Sequence, residues 1–162
     1  MAVTDDIVAT YRGPRRVMRR LLAGERHEAR ALAYLIAALV VIYIAQWPGL
    51  SRAAHFAPEV PLVQRMVASF LAVMALLPAF YLVAALGHLV ARMFGGSGDY
   101  FGARIALFWA LLAVSPLMLL QGMVAGFIGP GLQAGVVGGI VFVVFLWFWL
   151  SGLAVSESGA KS

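Results

Sequence analysis

The stretch that decides the fold is IALFWALLAVSPLMLLQGMVAGFIGPGLQAGVVGGIVFVVFLWFWLSGLAVS, residues 105–156, in which 52 consecutive positions carry no Asp, Glu, Lys or Arg. A helix crosses the hydrocarbon core of a bilayer in about 20 apolar residues, so this stretch fits two crossings and has to reverse between them. Gly129-Pro130-Gly131 is the reversal point, because glycine accepts turn dihedrals and proline cannot continue a helical ladder. Working outward, residues 66–91 and 31–51 are also free of the four charged residue types, and each fits one crossing. The reading is an all-α integral membrane protein with four transmembrane helices and a basic amphipathic N-terminal helix.

Composition points the same way. The chain has 162 residues, 63% of them hydrophobic and 12% charged, and its mean hydropathy is +0.93. A water-soluble domain of this size could not bury that much apolar surface. Backbone groups in lipid must pair within their own segment, which makes the spans helices. Runs such as Val141-Phe142-Val143-Val144-Phe145-Leu146 lack the in–out alternation of barrel strands. The absence of cysteine excludes disulfides, thiolate metal sites and cysteine nucleophiles. The first apolar run begins near residue 31 behind an arginine-rich segment, as expected of an uncleaved first span. The expected division is a cytoplasmic amphipathic tail at 1–30, a four-span domain at 31–156 and a cytoplasmic tail at 157–162.

Orientation follows from the cations. Four spans put Arg12, Arg15, Arg16, Arg19, Arg20, Arg26, Arg30, Arg92, Arg104 and Lys161 on one side, with only Arg52 and Arg65 on the other. This positive-inside bias predicts that both termini are cytoplasmic.

In the tail, Thr4-Asp5-Asp6 is a helix start and Gly13-Pro14 a break, with Pro14 suited to the first position of a second helix from Arg15 to about Glu28. Val17, Met18, Leu21 and Leu22 fall in one sector of that helix, and Arg16, Arg19 and Arg20 fall opposite. Such a helix is suited to lying in the headgroup plane, where Arg15, Arg16, Arg19 and Arg20 would meet anionic lipid or a partner. The first span is read as Ala31 to Trp47, followed by an outer loop from Pro48 to Gln64. Pro78 and Pro116 bend the second and third spans, with Ser115 placed to compensate beside Pro116.

Gly131, Gly135 and Gly139 stand four apart at the start of the fourth span, and Gly122 and Gly126 repeat the interval at the end of the third. Small residues at this spacing let backbones approach closely. The expectation is that the two sets pack spans three and four together, with homodimerisation through Gly135 and Gly139 as the alternative. Beyond them, Trp147 and Trp149 belong to an aromatic face open to lipid or a protein partner.

Catalytic groups are scarce. His27-Glu28 lacks the second histidine a zinc-protease helix needs, since position 31 is Ala31. His88 is the strongly titratable residue inside a span, one turn from Arg92 and near enough to the boundary to reach water. No acidic residue falls inside any expected span, which argues against ion-coupled transport. The loop from Gly95 through Phe101 is glycine-rich, but Phe101 stands where a dinucleotide fingerprint needs glycine and no Walker lysine is present. It reads as a tight turn in which Asp99 can cap the next helix and Gly95, Gly96, Tyr100 and Phe101 can contact lipid or a partner. No enzyme activity, cofactor, metal or nucleic-acid partner is expected.

GGSGDYF at residues 95–101, followed fifteen residues later by Pro116 within the next span, resembles the bacterial branch of the Yip domain family of Ypt/Rab-interacting membrane proteins. Pro14-Arg15-Arg16 ahead of a basic amphipathic stretch is similar to how many bacterial members begin. The resemblance implies a non-enzymatic membrane role, since eukaryotic relatives are linked to small GTPases and to vesicle budding or membrane shaping. The family more often has five spans, and no Tyr-Gly-Pro signature precedes the first span here, so GTPase binding is assigned to no residue. The expected function is a membrane scaffold or organiser; the alternative is a small accessory subunit of a larger membrane complex.

Overall fold

A computed structural model describes residues 2–158, so Lys161 lies outside the described residues. Among the described residues seven helices follow one another: α1 Val3–Arg12, α2 Pro14–Ala23, α3 Glu28–Phe56, α4 Leu62–Ala75, α5 Leu77–Met93, α6 Tyr100–Phe127 and α7 Leu132–Ser158. With α4 and α5 taken as one crossing broken at Leu76, four segments are long and apolar enough to span a membrane. The break precedes Pro78, which sits in the first turn of α5.

The centre of the bundle is α6, which packs against α3 on one side and α7 on another. Its buried face carries Ala103, Ala106, Ala110 and Ala113, each at most 1% exposed. Small residues three or four apart form a shallow groove into which neighbouring helices settle. The matching face of α3 is Ala31, Leu35, Ala38 and Leu39, all fully buried. By contrast, α4 touches little but α3 and α5, and its apolar side chains face outward.

Pro116 leaves α6 continuous because its neighbours repair the ladder. Proline at 116 removes the N–H that would have met the carbonyl of Leu112. Ser115 Oγ donates to that oxygen at 2.7 Å. A second repair comes from outside the helix, where the Tyr11 hydroxyl donates to the Ala113 carbonyl at 2.8 Å.

Four expectations are corrected. Helix α3 continues through Pro48 to Phe56, so the outer connection shrinks from 48–64 to residues 57–61. Gly122 and Gly126 do not meet α7. A Cβ on Gly122 would overlap the Ala45 backbone, its carbonyl carbon at 2.8 Å, and one on Gly126 would lie 2.7 Å from the carbonyl carbon of Pro48. The small residues of α6 serve the longer α3 contact, while nothing lies within 4 Å of a Cβ at Gly135 or Gly139. At Gly131 such a Cβ would meet only the Gln133 side chain, at 3.5 Å. The α6–α7 reversal falls where the sequence predicts it, at Gly129, whose φ of +98° favours glycine and whose α-carbon faces the Arg52 guanidinium.

Helix α2, finally, ends at Ala23 and does not reach Glu28. Gly24 follows, and Arg30 Nη2 donates to the Leu21 carbonyl at 2.8 Å to close the helix end. The apolar face of α2 does not lie against headgroups either. Val17, Met18 and Leu21 are buried in the protein core.

Candidate functional site

The ion pairs among the described residues gather at one end of the bundle, where α1, α2, the α5–α6 loop and the end of α7 converge. The register of α2 sets the geometry. Leu22 lines a cavity with Gly102 of α6 and Ser156 of α7. One turn earlier, Met18 packs against Gly152 and Ala106 is beside it. Before the Gly13-Pro14 turn, Tyr11 meets Ala113 and stands edge-on to Phe148 with ring centroids 5.0 Å apart. Contacts that step along α6 and α7 turn by turn mean that α2 runs alongside those helices. The α1–α2 hairpin therefore points its turn toward the middle of the bundle.

Polar anchors fix the hairpin. Trp109 Nε1 donates to Thr10 Oγ1 at 3.1 Å, and Thr10 Oγ1 donates to the Asp6 carbonyl at 2.7 Å. Burial pushes the Tyr11 phenol above its ordinary value near 10, so it remains a donor to Ala113. Arg20 is ion-paired with Asp6 across the hairpin. Arg15, Arg16, Arg19 and Arg20 are all exposed, on the side away from the core.

The glycine loop closes over the end of α7. His88 Nδ1 lies 2.6 Å from Glu157 Oε1, with both side chains buried. The Gly98 amide donates to the other carboxylate oxygen at 2.9 Å, and the Ser97 amide to the Glu157 carbonyl at 3.0 Å. Tyr100 tilts over the His88 ring at 4.4 Å. Gly95 has φ +89°, and a Cβ on Gly98 would sit 3.0 Å from Glu157 Oε2, which explains why the loop is built of glycine. Asp99 caps α6 through the Gly102 amide at 2.7 Å, as its position in the sequence suggests, and also pairs with Arg26. The Arg26 guanidinium lies over the Phe101 ring.

A Yip1 domain family model matches residues 8–160. The chain belongs to the Yip1 domain family. No curated protein matches it, and no solved structure does. In this Yip1 domain protein the match includes both the α2 hairpin arm and the glycine loop, the two segments that meet at the polar end.

Two residues stand differently from expectation in the Yip1 domain bundle. Glu157 is not a tail residue; it lies in the last turn of α7, 7% exposed, and supplies the acidic group the spans were expected to lack. His88 does not face water, being 1% exposed and held by that carboxylate. The signal was available, since His88 and Glu157 are charged or titratable groups at the ends of two apolar runs on the same side. Of the aromatic pair, Trp147 faces outward, while Trp149 packs against Gly87 of α5, 3.2 Å from a Cβ there. Gln46 is a further polar group within a span, accepting from Ser69 Oγ at 2.7 Å and tying α3 to α4.

Proposed function

We propose that this Yip1 domain protein is a non-catalytic scaffold or organiser of the bacterial inner membrane, with both termini in the cytoplasm. The observation that carries the reading is the use made of the basic segment. Its apolar face is spent on the protein core, and its arginines are left exposed on the outside of a rigid hairpin. Such a hairpin needs no membrane to hold it and is free to present cations to lipid headgroups or to an acidic partner. Nine arginines at the hairpin end against Arg52 and Arg65 at the other support the orientation.

A second reading, an accessory subunit, draws on the outward face of α7, where Ile140, Phe142, Val143, Trp147 and Leu150 are exposed. The test is gentle solubilisation of native membranes and recovery of the tagged full chain. Recovery alone or as a homo-oligomer with anionic lipid, lost when Arg15, Arg16 and Arg19 are neutralised, supports the organiser. Stoichiometric recovery of a larger complex, lost with Trp147→Ala, replaces it with the subunit.

A further inference from the structure

The outer side of the α1–α2 hairpin carries an open groove of about 520 Å³, lined by Asp5, Val8, Arg12, Arg16, Val17 and Arg20 among others. Residues 5, 8 and 12 of one helix face 16, 17 and 20 of the next, so the groove follows directly from the hairpin's helical spacing. Arg20 is engaged with Asp6. Neither Arg12 nor Arg16 has a carboxylate partner among the described residues, and both are exposed.

Depth makes this arrangement informative. The hairpin turn lies beside α6 near Trp109 and Ala113. Ala113 is nine residues beyond Arg104, about 13 Å of helix rise. Between Arg104 and Glu157 the sequence of α6 and α7 carries no charged residue. Arg12 and Arg16 flank the turn, so they leave the backbone beside the charge-free stretches of α6 and α7. A guanidinium there reaches back toward the interface or draws an anion down to it. Its planar fork matches the geometry of a lipid phosphate. Val8, 61% exposed on the same wall, offers apolar contact to an acyl chain.

We propose that this groove is a binding site for an anionic phospholipid of the phosphatidylglycerol type, its phosphate held between Arg12 and Arg16 and its acyl chain lying along Val8. The inference rests on the membrane-organiser reading and gives it a ligand. Zwitterionic lipid is disfavoured because its own cation would be brought against the arginines. The site lies at the protein–lipid boundary, so a lipid phosphate is the occupant and free phosphate a competitor.

The test is titration of the purified full chain, in detergent, with phosphatidylglycerol or phosphatidylcholine, counting bound lipids by native mass spectrometry. Phosphatidylglycerol is expected to bind at one saturable site. Arg12→Gln and Arg16→Gln should each weaken it about tenfold, the size of a lost charge-assisted hydrogen bond. Arg92→Gln, at the exposed end of α5, should leave it unchanged. Equal binding of both lipids, or equal weakening by Arg92→Gln, overturns the site. So does full displacement by millimolar inorganic phosphate, which would mean a free-anion site, or by an acidic peptide, which would mean a protein-docking groove. Thermal melts of each variant separate lost binding from lost folding. Co-purification from native membranes reads the organiser role separately, so that role can survive failure of the lipid site, and the reverse.

Discussion

His88 on α5 and Glu157 at the end of α7 form a buried pair, Nδ1 to Oε1 at 2.6 Å, although they stand 69 positions apart. The carboxylate's other oxygen receives the Gly98 amide, so one side chain ties together α5, the glycine loop and α7. Removing one member of a buried, hydrogen-bonded pair leaves the other without compensation, at a cost of about 3–5 kcal/mol. Glu157→Ala is expected to lower the melting temperature of the detergent-solubilised protein and to expose the Gly95–Asp99 loop to protease. The His88→Leu/Glu157→Leu double variant should recover part of the loss, because both polar groups go together. Equal and additive losses in the double variant would show that the pair does not act as a unit.

The glycines divide into two classes with opposite expectations. Gly126→Ala places a methyl against the backbone of Pro48, and helix backbones cannot yield as a flexible side chain can. Overpacking of this kind costs about 1–3 kcal/mol. Gly139→Ala meets open space and should leave the monomer as stable as before or more so, by up to about 1 kcal/mol of helix propensity. Thermal melts of the two variants check the contrast. A destabilising Gly139→Ala would mean that α7 packs there against a second copy.

Ser115 and Pro116 act on the same carbonyl. Ser115→Ala leaves the Leu112 oxygen without its hydroxyl partner, a loss of about 1 kcal/mol. Pro116→Ala restores a backbone N–H at that position, so Ser115→Ala should cost much less in its presence. A double-mutant cycle on denaturation free energies checks the coupling. Strict additivity would assign the Ser115 hydroxyl another role.

The spans were legible in the sequence because lipid imposes a simple requirement: about 20 apolar residues uninterrupted by charge. Gly129, Pro78 and the Asp99 cap were legible for a similar reason, since each acts within its own few residues. What the sequence left open was which face meets which helix. Gly122 and Gly126 could serve any neighbour, and they serve Ala45 and Pro48 because α3 lies along α6 for most of its length. The amphipathic pattern of α2 is the same whether its apolar face meets lipid or protein. The alanines at 103, 106, 110 and 113 were the overlooked sign that α6 is the helix others pack around. His88 and Glu157 become a pair only after α5 and α7 have been brought side by side.

The basic N-terminal segment is a hairpin docked along α6 and α7, with Met18 against Gly152. The chain has no cysteine, so a Met18→Cys/Gly152→Cys variant carries only the two introduced thiols. In native membranes, a short, reducible thiol-to-thiol cross-linker should join them within one chain, giving a mobility shift that reductant reverses. Met18→Cys/Gly135→Cys should give none. If the 18/152 thiols fail to join and the thiol at position 18 reacts freely with a water-soluble maleimide in open membrane fragments, the segment lies away from the bundle and the docked hairpin is wrong.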